Sequence, residues 1–334
     1  MKPTILAVLL ALFVPQARAA SELQVYFIDV EGGQATLFVS PSGQSMLVDT
    51  GWAGFDGRDA DRIAAAARLA GVKQIDFLVV THYHADHVGG VPQLAARIPI
   101  RNFVDHGPSV ETGKNADELF QAYEAVRKNG KHILAKPGEK IPIRGLDVTI
   151  LTAAGNHITK ALPGGGAPNP LCTQATLKDP DPSENAQSVG IFIRYGEFSM
   201  VDLGDLTWNK EHDLMCPNNP VGMVDVYLST HHGLAQSGSP VIVHALGPRV
   251  SIMNNGATKG GEPAAWQVIH STTRLLDLWQ LHYAEAGGDA NNSSDQLIAN
   301  NKQEEGNWIK LEANSNGQFT VTNSRNGYSK SYLP

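Results

Sequence analysis

A four-layer α/β fold, with two β-sheet halves sandwiched between outer helices (αββα), is what this sequence predicts. Two observations carry that expectation. The order strands, helix, strand, helix occurs in each half of the chain. Several strands also read as continuous apolar runs, such as "DFLVV" at 76–80, which suits strands covered on both faces. The 334 residues are 42% hydrophobic and 18% charged, enough to bury a full core in one large domain or two ordinary ones.

The first nineteen residues stand apart from that fold. Lys2, the apolar run Ile5–Val14 and the small residues Ala17 and Ala19 have the form of a secretory signal peptide over 1–19. About ten apolar residues are too few to span a hydrocarbon core of roughly 30 Å. The remaining 20–334 is expected to form one domain without a membrane span, secreted or periplasmic. An oxidising compartment permits a disulfide between Cys172 and Cys216, the two cysteines of the chain; two unpaired buried thiols are the alternative.

Within the domain, "LQVYFIDV" and "ATLFVSPSGQSMLVDTG" read as two or three strands with a hairpin turn at Ser42-Gly43. The alanine-rich "RDADRIAAAARLAG" opens with acidic residues and ends at Gly71, as a helix does. The strand at 76–80 follows, then a short helix over Val91–Arg97, a strand near Asn102–Val104 and a helix near Ala116–Asn129. Residues 152–187 are crowded with Gly, Pro and Asn and show no period; so long a loop in a compact domain tends to be functional or partly disordered. "SVGIFIRYGEFSMVDLGD" gives two strands about Gly196, "VDVYLSTHHG" a third, and "RVSIMN" a fourth. A longer helix is expected from about Ala264 to Ala286, and a hairpin turning at Asn316-Gly317 closes the chain.

The chemistry gathers at strand ends. His82, His84, Asp86 and His87 directly follow the apolar strand and precede Gly89-Gly90. Side chains at i and i+2 near a strand end point the same way, so His82 and His84 can offer two imidazoles to one cation. Asp86 and His87 can face a second. Imidazole with carboxylate suits zinc, manganese or iron rather than calcium. Asp205 ends "SMVDLGD" as a carboxylate able to bridge two ions. His231 and His232 end "VYLSTHHG"; His231, the first side chain beyond the strand, is the preferred ligand, with His232 behind it or touching substrate.

The pattern His82-x-His84-x-Asp86-His87, then Gly204-Asp205, then His231-His232-Gly233, resembles the metallo-β-lactamase superfamily. Asp49-Thr50-Gly51 matches that fold's acidic turn, whose Asp supports the metal-binding loop. "FIDVEGGQAT", "NAQSVGIFI" and "THHG" are similar to the branch holding competence-type DNA-uptake domains and phosphorylcholine esterases. The resemblance implies the αββα sandwich of the metallo-β-lactamase type and two divalent metal ions, zinc first and manganese second. It implies metal ligation by His82, His84, Asp86, His87, Asp205 and His231 or His232, with Asp86 and Asp205 also steering a metal-bound hydroxide as catalytic residues. Many members carry a further histidine where this chain has Asn185, with Glu184 as the less favoured substitute. An amide oxygen is a weaker zinc donor than imidazole, so the first metal is expected to bind more loosely.

The expected activity is a secreted metal-dependent hydrolase acting on a phosphodiester. β-Lactamase or lactonase activity, or a non-catalytic metal-binding module, are the alternatives. A formal charge of −7 argues against nucleic acid as the partner, because phosphate contacts require clustered Lys and Arg. Among weaker signals, His106 reads as a surface histidine, Tyr83 as a packing or substrate-facing residue, and Trp52 and Trp208 as residues of the pocket mouth or the core.

Overall fold

The computed structural model describes residues 22–334, so the expected signal peptide lies outside the described residues. Two nine-stranded sheets face each other. The first runs, in spatial order, Ser329–Tyr332, Phe319–Asn323, Ile309–Ala313, Leu23–Phe27, Thr36–Val39, Ser45–Val48, Ile75–Val79, Ile100–Asp105 and Lys131–Leu134. The second runs Ile298–Asn300, Asp277–His282, Val250–Met253, Val226–Leu228, Phe198–Asp202, Gly190–Tyr195, Asp147–Ala153 and Lys140–Ile141, with Asn156–His157 paired to Asp147–Ala153.

Period-two alternation builds the layers. Phe27, Phe38, Val48 and Phe77 point inward to meet Ile191, Ile193, Met200 and Ile252 between the sheets. Their neighbours Tyr26, Leu37, Leu47 and Leu78 point outward onto Ala60, Ile63 and Ala67 of the helix Arg58–Leu69 and onto Tyr123 of the helix Lys114–Arg127. On the far side, Phe192, Val201 and Tyr227 are covered by Leu214 of Trp208–Met215, Ile242 of Pro240–Leu246 and Ile269 of Pro263–His270. Three apolar layers thus hold four layers of structure together, the αββα sandwich. Among the described residues no helix is long and apolar enough to cross a membrane.

Two expectations need correction. The helix expected from Ala264 to Ala286 is a helix at Pro263–His270 followed by a parallel strand at Asp277–His282. In that strand Leu278 packs outward while Trp279 and Leu281 pack between the sheets, so burial on both faces hides the strand period. The irregular segment 152–187 is tied down rather than loose. Its Cys172 is bonded to Cys216, with Cα atoms 5.7 Å apart, and Ala167–Pro168 pairs with Asn218–Asn219.

Candidate metal centre

The centre lies where three strands release their chains. After Ile75–Val79, the chain crosses the end of the neighbouring strand Ser45–Val48, where Asp49 is fully buried with φ 59°. Its carboxylate accepts from Thr81 N (2.8 Å) and Thr81 Oγ1 (2.6 Å) and stands 2.7 Å from His87 Nδ1. That contact puts the proton of a neutral His87 on Nδ1 and leaves Nε2 to face the centre. A four-residue helical turn, Ala85–Val88, carries Asp86 and His87. The two glycines after it are a steric necessity: a Cβ on Gly90 would meet Thr50 O at 2.2 Å, and one on Gly89 would meet Ala85 O at 2.2 Å.

Asp205 is the hub. Its Oδ2 lies 3.2 Å from His87 Nε2, 3.3 Å from His231 Nε2 and 3.8 Å from His82 Nε2, while Oδ1 lies 3.3 Å from His232 Nε2. Asp86 Oδ2 is 3.3 Å from both His87 Nε2 and His232 Nε2, and those two nitrogens are 3.1 Å apart. On the other side His82 Nε2 and His84 Nδ1 are 3.1 Å apart, and His84 Nε2 meets Glu111 Oε1 at 3.0 Å. Ligands about 2.1 Å from a tetrahedral cation stand roughly 3.4 Å from one another, so these separations fit a metal ion. The tightest group is Asp86, His87, Asp205 and His232, whose ligand atoms all lie within 4.8 Å of one another.

The charges of the cluster call for a cation. Burial opposes the ionised form of Asp205, yet the nearby His232, His87 and His231 outweigh it and hold the carboxyl well below its usual range. Burial likewise opposes a proton on His87, but Asp205, Asp86 and Asp49 prevail and hold it. His82 and His231 are pushed the other way, chiefly by burial, His231 to about 4. Both are therefore neutral near pH 7, the form that ligates metal. Two buried oxygens, Asn185 Oδ1 and Asp205 Oδ1, have no hydrogen-bond partner; an unsatisfied acceptor of this kind is what a cation would complete.

The sequence-predicted residues His82, His84, Asp86, His87, Asp205, His231 and His232 are all brought together. Of the pair, His232 belongs to the tight group, while His231 Nε2 lies 3.3 Å from Asp205 Oδ2. Both residues have φ 56°, in the turn Thr230–Gly233, so strand alternation no longer governs where they point. Asn185 sits in the turn Glu184–Gln187, which is tied to the centre by Ser188 Oγ accepting from Asp205 N and by Val189 N donating to Thr81 O. Glu184 is not free to ligate: its carboxylate lies 2.8 Å from His106 Nε2 and accepts from Val110 N and Tyr83 N. His106 is therefore a buried partner of Glu184 rather than a surface residue, and Tyr83 is buried in the outer core.

Sequence reasoning missed three things. Lys259 pairs with Asp86 Oδ2; it carries no motif, and only its place after "NNG" near the site marks it. Glu111 holds His84 from an irregular loop. Asp29, Glu31 and His282 form a second acidic group, with His282 Nε2 2.7 Å from Asp29 Oδ1. Arg62 already fills that group, donating to Asp29 Oδ2 at 2.8 Å and Glu31 Oε1 at 3.2 Å.

The family model described as "Metallo-beta-lactamase superfamily" matches residues 28–178, which include Asp49 and the run His82 to His87. Over that stretch the chain is a metallo-beta-lactamase superfamily sequence. It is 25% identical over 215 residues to ComE operon protein 3 of Bacillus subtilis (strain 168), covering 64% of this chain and 23% of that protein. It is 33% identical over 104 residues to hydroxyacylglutathione hydrolase of Stenotrophomonas maltophilia (strain R551-3), covering 30% of this chain and 37% of that enzyme. The chain thus spans well under half the length of either relative. Among solved structures, the metallo-beta-lactamase fold protein YhfI from Bacillus subtilis is 13% identical with a TM-score of 0.46, covering 78% of this chain and 96% of that one.

Proposed function

We propose that this protein is a secreted, dinuclear metal-dependent hydrolase acting on a phosphodiester. The observation that carries the reading is the placement of Asp205, whose Oδ2 lies among His82, His231 and His87 while its Oδ1 faces His232, so that one carboxylate touches the donors of both groups. Two overlapping donor sets follow. His82, His84 and Asp205, with Asn185 as the weak fourth donor, would hold one ion; Asp86, His87, Asp205 and His232 would hold the other. Bound divalent cations lower the pKa of water towards about 7 and neutralise charge developing on a substrate oxygen.

The residues then divide the remaining work. Asp86 and Asp205 orient the attacking water by accepting its proton-bearing side, and His231, neutral and next to Asp205, completes the wall. Asp49 keeps His87 in the tautomer that presents Nε2. The carboxylates stay ionised because the imidazoles around them favour the charged form. An anionic substrate is supported by Arg58 and Lys259, two cations in the lining of the adjoining cavity of about 390 Å³, which Glu31 and Glu304 also border.

A second reading, hydrolysis of a thioester, is favoured by the likeness to hydroxyacylglutathione hydrolase over 104 residues. Metal analysis of the purified protein, with a panel of phosphodiester, thioester, lactone and β-lactam substrates, separates the readings. Turnover confined to phosphodiesters supports the first. Turnover of the thioester alone replaces it with the second, and failure to bind any divalent metal removes both.

A further inference from the structure

Lys259 is the lysine or arginine paired with Asp86 among the described residues, and it takes Oδ2. That is the same oxygen that lies 3.3 Å from His87 Nε2 and from His232 Nε2. A divalent cation seated by this group would use that oxygen, so two positive charges compete for one ligand atom. The backbone of Lys259 is fixed: its carbonyl accepts from Gly256 N at 2.8 Å. A Cβ on Gly32, whose φ is 82°, would come within 3.0 Å of Lys259 Cβ, so the two turns are closely packed. Only the four-carbon stem can move, and the side chain is 30% exposed.

Beside that stem lies the cavity bordered by Trp52, Phe55, Arg58 and Lys259, and also by Glu304 and by Glu31, whose charge is already met by Arg62 at 3.2 Å. The Lys259 ammonium is already 5.0 Å from the centre of the Trp52 ring. Across the cavity Arg58 stacks on Phe55 at 4.4 Å and gives Nε to Asp59, while its Nη2 is buried without a hydrogen-bond partner. An ammonium displaced into this space, beside the guanidinium that also lines it, makes a receptor for an oxyanion.

We propose that Lys259 is an anion-binding residue displaced from Asp86 by the incoming metal, and that with Arg58 it binds a phosphate oxyanion of the substrate beside the metal centre. This rests on the reading of the centre as a metal site. It deepens that reading by naming the group that selects the substrate's charge. The same exchange gates the site: the oxyanion receptor becomes available only once a cation holds Asp86.

The test compares the intact protein with Lys259→Met and Lys259→Arg. Zinc affinity is measured first on metal-stripped protein by competition with a chromophoric chelator. Loss of the competing ammonium should tighten binding in Lys259→Met by on the order of tenfold, the equivalent of one charge-assisted hydrogen bond; Lys259→Arg, which keeps the charge, should match the parent. Calorimetric titration of inorganic phosphate into the zinc-loaded proteins follows. Lys259→Met should bind it on the order of tenfold more weakly, and Lys259→Arg should retain most of the affinity. Unchanged zinc affinity in Lys259→Met overturns the displacement, and unchanged phosphate affinity overturns the oxyanion role. If no variant and no parent protein binds zinc, the reading of the centre fails and the proposal falls with it.

Discussion

Replacing Asp49 tests how the centre is held without touching any residue assigned to a metal. Asp49 is fully buried and serves three donors: Thr81 N, Thr81 Oγ1 and His87 Nδ1. Asp49→Ala strips the acceptor from all of them. At about 1–3 kcal/mol for each buried donor left unpaired, and allowing the hydroxyl to turn elsewhere, the loss is on the order of 4 kcal/mol. That is a large fraction of the roughly 5–15 kcal/mol that stabilises a domain. Asp49→Asn is more revealing. Its amide oxygen can keep Thr81 N, but its NH₂ now faces His87 and favours the tautomer with the proton on Nε2, the nitrogen that should ligate. Stability should fall by only about 1–2 kcal/mol, while metal affinity falls by about 10–100-fold, as expected when the group orienting a ligating histidine is altered. Urea titration reads the first quantity and chelator competition the second. If Asn binds zinc as tightly as Asp does, His87 is not held for ligation by Asp49 and the construction of the centre given above is wrong.

Asp86→Ala should reduce hydrolysis to background while circular dichroism and the urea midpoint of the stripped protein stay close to those of the parent; near-normal turnover with metal bound would refute its role. Asn185→His should tighten zinc at the weaker of two binding events, because imidazole is the better donor; identical titrations in the two proteins would show that Asn185 does not face the metal. Opening the disulfide with Cys172→Ser frees a loop of 44 residues and should cost about 4 kcal/mol in the chain-entropy model, read from urea midpoints; a midpoint unaffected by reductant in the parent would count against it. Burial pushes the Glu211 carboxyl from 4.5 up to about 7, against the N–H groups of Gly238 and Ser239 that favour its charge. The raised folded value means that its contribution is fully present below pH 4.5 and is lost as pH rises through 7, by about 3 kcal/mol. Glu211→Gln should flatten that part of the stability–pH curve, and an unchanged slope would refute the shift.

Much of the fold was legible because its periods are local. The alternation in Leu23–Phe27, the apolar run of Ile75–Val79 and the alanine face of Arg58–Leu69 each state their element within a dozen residues. Asp277–His282 was not legible as a strand, since parallel pairing to Val250–Met253 and cover on both faces removed the period. Lys131–Leu134 was missed for the opposite reason: it is an edge strand, mostly exposed, with little apolar signal.

The sequence alone determined that His82, His84, Asp86 and His87 gather, because one strand end and one helical turn bring those side chains together whatever surrounds them. It also marked Asp205 and the His231-His232 pair, each following its own strand. Only the tertiary structure decided the rest. The choice of His232 for the tight group depends on two successive left-handed residues, a geometry that neither strand nor helix periodicity describes. The pairing of Lys259 with Asp86 spans 173 positions, and that of His282 with Asp29 spans 253. Contacts so distant in sequence are set by how two sheets pack and which loops meet at their ends, and hydrophobic pattern specifies the packing without naming the polar residues that packing brings face to face.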